Sequence, residues 1–129
     1  MWRIGILSLL VVVAVVGYRL WQGPVAGSDS SRLAGRWQRT DGGYVLDFSD
    51  IGPDGRVKAA YFNPRPIHVS RAEWKEQDGR LGLFVELRDV NYPGSTYTLT
   101  YDAAADRLTG IYFQAVQRQE FDVAFVRMK

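Results

Sequence analysis

The sequence predicts an all-β domain, an antiparallel up-and-down meander of about eight strands closing into a small barrel, preceded by one N-terminal transmembrane helix. Three observations predict it. From Leu33 onward, apolar and polar side chains alternate with a period of two. Clusters of Gly, Pro, Asn and Asp punctuate that alternation at short intervals. Ahead of it, Ile4 to Tyr18 runs without a charge.

A helix needs about 20 largely apolar residues to cross a hydrocarbon core about 30 Å thick. Trp2 to Trp21 supplies that length, with Arg3 and Arg19 placed to snorkel and Trp2, Tyr18 and Trp21 as an aromatic belt. A cleaved signal peptide also opens with a positive residue and an apolar stretch. Here the bulky Arg19-Leu20-Trp21-Gln22 follows directly, and the first small-residue cleavage option is Val25-Ala26-Gly27, beside Pro24. Residues 1–22 are read as a transmembrane anchor or signal peptide, 23–32 as a Gly/Pro/Ser linker and 33–129 as the barrel. Both readings leave the amino end in the cytoplasm. The expected location is a bacterial inner membrane, single-pass, with the domain in the periplasm, or free in the periplasm after cleavage.

The strands follow in order. Ala34 to Arg39 ends at Asp41-Gly42-Gly43. Tyr44 to Ser49 puts Tyr44, Leu46 and Phe48 on one face. Pro53-Asp54-Gly55 turns into Arg56 to Phe62. Asn63-Pro64-Arg65-Pro66 interrupts before Ile67 to Lys75, whose parity slips between Val69 and Ala72; a β-bulge at Ser70-Arg71 reconciles the two halves. Asp78-Gly79 is a hairpin signal leading to Leu81 to Arg88. Asn91-Tyr92-Pro93-Gly94 reads as a loop before Ser95 to Tyr101. Asp102 to Asp106 precedes Leu108 to Ala115, and Gln117-Arg118-Gln119 turns into Glu120 to Arg127. One oily face and one wet face fit an antiparallel sheet, and closure removes its two exposed edges.

Composition excludes several classes. Two of the 16 basic residues, Arg3 and Arg19, flank the apolar run, which leaves a domain whose basic residues match its 14 acidic ones. A neutral domain lacks the field that drives nucleic-acid binding. The absence of cysteine excludes disulfides, thiolate metal sites and a cysteine nucleophile.

Leu33-Ala34-Gly35-Arg36-Trp37 resembles the Gly-x-Trp opening of lipocalin-like (calycin) barrels. That resemblance implies that an arginine near the chain end packs across the opening tryptophan. Arg127, at strand spacing from Phe125, is the matching residue, so Trp37 and Arg127 are expected to close the first strand against the last. The stretches 61–67 and 87–97 resemble those of a bacterial membrane-anchored family, a resemblance that implies no activity. In so short a chain, either side chains fill the barrel or a cavity is lined by residues such as Tyr44, Phe48, Tyr97 and Tyr112.

Candidate chemistry is sparse. His68 is the single histidine, too few for a zinc set without cysteine. Ser70 lies two residues on along the same strand face, no Gly-x-Ser-x-Gly elbow exists, and Gly42-Gly43 lacks the partners of a phosphate loop. No catalytic residue, metal or cofactor is assigned. The loops 63–66 and 89–94 connect strands one hairpin apart, so both belong at one barrel end, where Arg65, His68, Asp89, Asn91 and Tyr92 line a rim. The expected function is a noncatalytic, membrane-anchored envelope domain binding a small apolar ligand or a protein partner. The alternatives are a structural or assembly accessory with a filled barrel, and a hydrolase using rim carboxylates such as Asp47 and Asp89.

Overall fold

The computed structural model describes residues 29–129; the expected anchor and most of the linker lie outside the described residues. A 3₁₀ turn, Ser30–Leu33, leads into nine strands: β1 (Gly35–Arg39), β2 (Val45–Ser49), β3 (Lys58–Phe62), β4 (Pro66–Ile67), β5 (Val69–Gln77), β6 (Arg80–Asp89), β7 (Tyr92–Asp102), β8 (Arg107–Gln114) and β9 (Gln119–Arg127). All pair antiparallel in one sheet of order β4-β3-β2-β1-β9-β8-β7-β6-β5. The first and last strands meet, with Trp37 opposite Arg127 and Arg39 opposite Phe125.

The two ends of that order, β4 and β5, are consecutive pieces of one chain segment, and this is what nearly closes the barrel. The sequence reads Ile67 to Lys75 as a single strand; the structure breaks it at His68, giving nine strands rather than eight. β4 pairs with β3 and β5 pairs with β6, so the chain changes neighbour at that corner. The His68 N–H donates to Asp89 Oδ2 at 3.0 Å, and its carbonyl accepts from Arg88 at 3.1 Å. Between Val69 and Arg71 the β5–β6 register shifts, leaving Ser70 as the bulged residue. Below the corner, an Arg56–Glu73 bridge and a bond from Trp74 N–H to the Gly55 carbonyl (2.9 Å) join the turn before β3 to β5.

A second difference concerns Asn91 to Gly94. The hairpin turns on Val90 and Asn91 alone, and Tyr92 and Pro93 already belong to β7. A bulge makes this possible: Leu87 faces Ser95 and Arg88 faces Pro93, leaving Gly94 unpaired at φ +92°. Asp78 and Gly79 both take positive φ, as a two-residue type I′ turn demands.

The inward faces fill the interior. Trp37, Leu46, Phe48, Tyr61, Val85, Leu87, Tyr97, Leu99, Leu108 and Phe125 are all buried. At one end the 3₁₀ turn covers the barrel. Leu33 is buried there, its carbonyl accepts the Trp37 indole N–H at 3.0 Å, and Tyr101 meets the Trp37 ring edge-on. The opposite end, formed by the turns β1–β2, β3–β4, β6–β7 and β8–β9, is open.

Candidate functional site

The open end is built by strand parity. Trp37 points inward, so Arg39, two residues on, points inward as well, and it emerges where β1 leaves the core. Its side chain is 9% exposed. A buried guanidinium is tolerated only when its charge is compensated and its N–H groups are satisfied. Asp41 does most of this: Nε donates to Oδ1 at 2.6 Å and Nη2 to Oδ2 at 2.7 Å, a two-pronged pair. Nη1 donates to Tyr97 Oη at 3.0 Å, and the Tyr97 and Tyr61 hydroxyls share a further bond of 3.0 Å. Two rings flank the cation, Tyr44 at 4.1 Å and Tyr112 at 5.5 Å.

Charge states follow from these contacts. Burial opposes the Arg39 charge, but the bonds to Asp41 and Tyr97 outweigh it and the pKa lies above the ordinary arginine value. The same bond from Arg39 holds Asp41 below the usual carboxylate range. Burial raises Tyr61, and it pushes Tyr97 up to about 12 against the opposing bonds from Tyr61 and Arg39. The floor of the open end is thus an ion pair resting on two neutral phenols.

Above this floor lies a cavity of about 550 Å³, lined by Arg39, Asp41, Tyr44, Asn91, Tyr92, Tyr112, Gln114, Gln117 and Phe121. Tyr112 and Phe121 stack with centroids 6.4 Å apart, and Phe121 is 43% exposed. The space is an open cleft, and others of about 470 to 630 Å³ lie elsewhere on the surface, so its lining and not its size marks it out. It sits at the mouth: Phe48 and Tyr97 are packed into the core, whereas Tyr44 and Tyr112 reach the cavity.

The residues expected at a rim are divided. Asn91 and Tyr92 line the cavity. Asn63 Nδ2 donates to Tyr92 Oη, which ties the loop after β3 to the start of β7. His68 and Asp89 form the outer corner described above, and Asp89 also accepts from the Val90 N–H at 2.8 Å. The two backbone donors lower the Asp89 pKa. Arg65 is exposed and forms no ion pair with Asp89. Ser70 Oγ donates to Glu86 Oε1 at 2.8 Å, so its proton is already committed. Asp47 pairs with Arg36 at 3.8 Å on the outer face.

Arg39, Asp41, Tyr61 and Phe121 were missed from sequence as site residues, and Asn63 was read only as part of loop 63–66. The available signal was parity alone: Arg39 shares the inward face of Trp37.

At the closed end, the Arg127 guanidinium lies 4.2 Å over the Trp37 ring. It also donates to the Ala34 carbonyl at 2.7 Å, the Arg32 carbonyl at 2.6 Å and the Asp106 carboxylate at 2.9 and 3.0 Å. These contacts fasten the 3₁₀ turn to the last strand. Among the described residues, no three His, Asp or Glu side chains converge as a metal ion requires. Comparison with protein-family models, curated proteins and solved structures finds no match for this chain.

Proposed function

We propose that this chain is a noncatalytic, membrane-anchored binding domain of the bacterial cell envelope, and that it takes a small, largely apolar ligand at the open mouth of a filled, lipocalin-like barrel. The observation that carries this reading is the 550 Å³ cavity floored by Arg39 and walled by tyrosines and Phe121. Gly35, Trp37 and Arg127 at the closed end support the lipocalin-like part. Asp41 is held ionised by Arg39, which suits a structural counter-ion better than a general acid, whose pKa must rise.

The anchor reading rests on the N-terminal apolar run and gains a geometric consequence. Asp29 and the 3₁₀ turn sit at the closed end, so the chain enters the barrel at the end opposite the mouth.

Two measurements test this. Because the chain has no cysteine, Val116→Cys gives a unique label site beside the mouth. A membrane-impermeant maleimide should label it in cells with a permeabilised outer membrane and an intact inner one; labelling only after lysis overturns the location. Calorimetric titration of the full chain in lipid nanodiscs with 2-naphthamide, empty nanodiscs subtracted, should show saturable binding that Phe121→Ala weakens at least fivefold. No saturable binding of either this probe or 2-naphthoate overturns the mouth as a ligand site.

A second reading, an assembly accessory with a filled barrel, is favoured by the packed interior together with the rim. Val90 and Val116, the two most exposed large apolar residues among those described, both sit on turns of the mouth end. A protein partner seated on that rim would cover them.

A further inference from the structure

We propose that the mouth is a receptor for a monoanionic ligand with a planar apolar body, and that Asp41 occupies the seat meant for the ligand's anionic group. This rests on the mouth being a ligand site at all, and it adds the ligand's charge and the way it enters.

A guanidinium at the bottom of an aromatic cavity needs an anion beside it at all times. The partner it has is unusual in position. Asp41 stands on the exposed β1–β2 turn, followed by Gly42 and Gly43, and its side chain is 55% exposed while that of Arg39 is 9% exposed. The buried charge is therefore fixed and its counter-ion is the movable member. Nε and Nη2 offer Asp41 the parallel pair of donors that any carboxylate, sulfonate or phosphate oxygen pair would accept. Both Arg39 and Asp41 border the cavity, so the ion pair stands at the ligand space. The remaining edge is committed inward: Nη1 is bonded to Tyr97, which is held by Tyr61. Those bonds keep the guanidinium in place when Asp41 swings away.

Exchange of one carboxylate for another on the same donors changes little by itself. The net driving force is the apolar body that a ligand brings and Asp41 lacks. Tyr44, Tyr92, Tyr112 and Phe121 provide flat surfaces for it, and the stacked Tyr112–Phe121 pair gives the partly exposed platform. The seat excludes cations, because the space between Tyr44 and Tyr112 already holds the protein's own guanidinium. A neutral molecule gains the stacking but leaves Asp41 in place.

The test uses two probes of one shape, 2-naphthoate and 2-naphthamide, titrated calorimetrically against the full chain in nanodiscs. The expected result in the parent protein is binding of the two probes within about threefold, because naphthoate there only replaces Asp41 on donors that are already paired. Asp41→Asn should tighten naphthoate at least tenfold relative to naphthamide. Asp41→Ala should act the same way, and circular dichroism at matched temperature establishes that both variants keep the fold. Acetate at millimolar concentration should compete with naphthoate in the Asp41→Asn protein and leave naphthamide unaffected. Equal binding of the two probes, unchanged by either substitution, overturns the anion seat while leaving the mouth a ligand site. Weaker naphthoate binding in the Asp41 variants also overturns it, since Asp41 would then assist the ligand. Binding of neither probe removes the mouth reading itself.

Discussion

A Cβ added to Gly35 would lie 2.9 Å from Arg127 Nη1, the same atom that donates to the Ala34 carbonyl. Gly35 also takes φ +126°, in the region where L side chains are strained. The glycine that opens β1 is thus the clearance through which the arginine ending β9 reaches the chain before β1. Gly35→Ala combines backbone strain with a collision and should cost about 1–3 kcal/mol. Urea unfolding checks it: the midpoint should fall with the slope unchanged, and a midpoint within error of the parent protein removes the clearance role.

The Trp37–Arg127 contact should behave as a coupled unit. Trp37→Ala empties a fully buried site and should cost about 3–5 kcal/mol. Arg127→Ala removes the stacked cation and leaves the Ala34 and Arg32 carbonyls without that donor. Stacking of a partly shielded cation on an indole is worth about 1–2 kcal/mol, so the double variant should be less destabilised than the sum of the singles by about that amount. Strict additivity within about 0.3 kcal/mol would mean that the contact is geometric only.

Much of this was legible because strand parity is a local property. Trp37, Phe48, Tyr97 and Phe125 are read inward from neighbours two residues away, and the slip at Ser70 shows in the sequence as a change of parity. What parity cannot show is which strand lies alongside. The break at His68 exists because Pro66–Ile67 finds β3 while Val69–Gln77 finds β6, a choice made by distant segments. Arg39 was hidden for the same reason. It carries the inward parity of Trp37, and Asp41 two residues on is a local counter-ion, but the third bond that seats it in the core comes from Tyr97, 58 residues along the chain. Pro93-Gly94 carries a strong turn signal, and only the pairing of Arg88 with Pro93 shows that a bulge absorbs it.

Acid should loosen the closed end through Asp106. Bonds from Arg127, then from Tyr101, lower its pKa from 3.8 to about 2. A carboxylate depressed in the folded state contributes stability that is fully present above its unfolded pKa and is lost as pH falls through the folded one. The contribution of Asp106 should therefore be intact at neutral pH and fade between pH 3.8 and about 2. Asp106→Asn isolates it from Asp29, Asp41, Asp54, Glu86 and Asp89, which are also lowered. The variant should be less stable than the parent at pH 6, and the gap should close as pH approaches 2. A gap independent of pH would assign the loss to shape rather than charge.

The seam beside β3 should be the first part of the barrel to open. Tyr61 and Phe62 pair with β4, and Arg56 pairs with Glu73, but residues 57–60 have no ladder partner on that side. The facing stretch of β5 contains the Ser70 bulge. Val57, Ala59, Val69 and Ala72 along it are only partly buried, whereas Val85, Tyr97 and Leu108 on the other strands are fully buried. Few backbone bonds and incomplete burial set a low free energy for local opening. In hydrogen exchange, amides of residues 58–60 and 69–71 should exchange at least tenfold faster than those of Leu83 to Val85 and Tyr97 to Leu99, at a pH where exchange reports opening equilibria. Tyr61 and Trp74, pinned at the two ends of the seam, should exchange more slowly than the stretch between them. Uniform protection around the sheet would mean that bonds between β3 and β5 close the seam in solution, and that this barrel has no weak side.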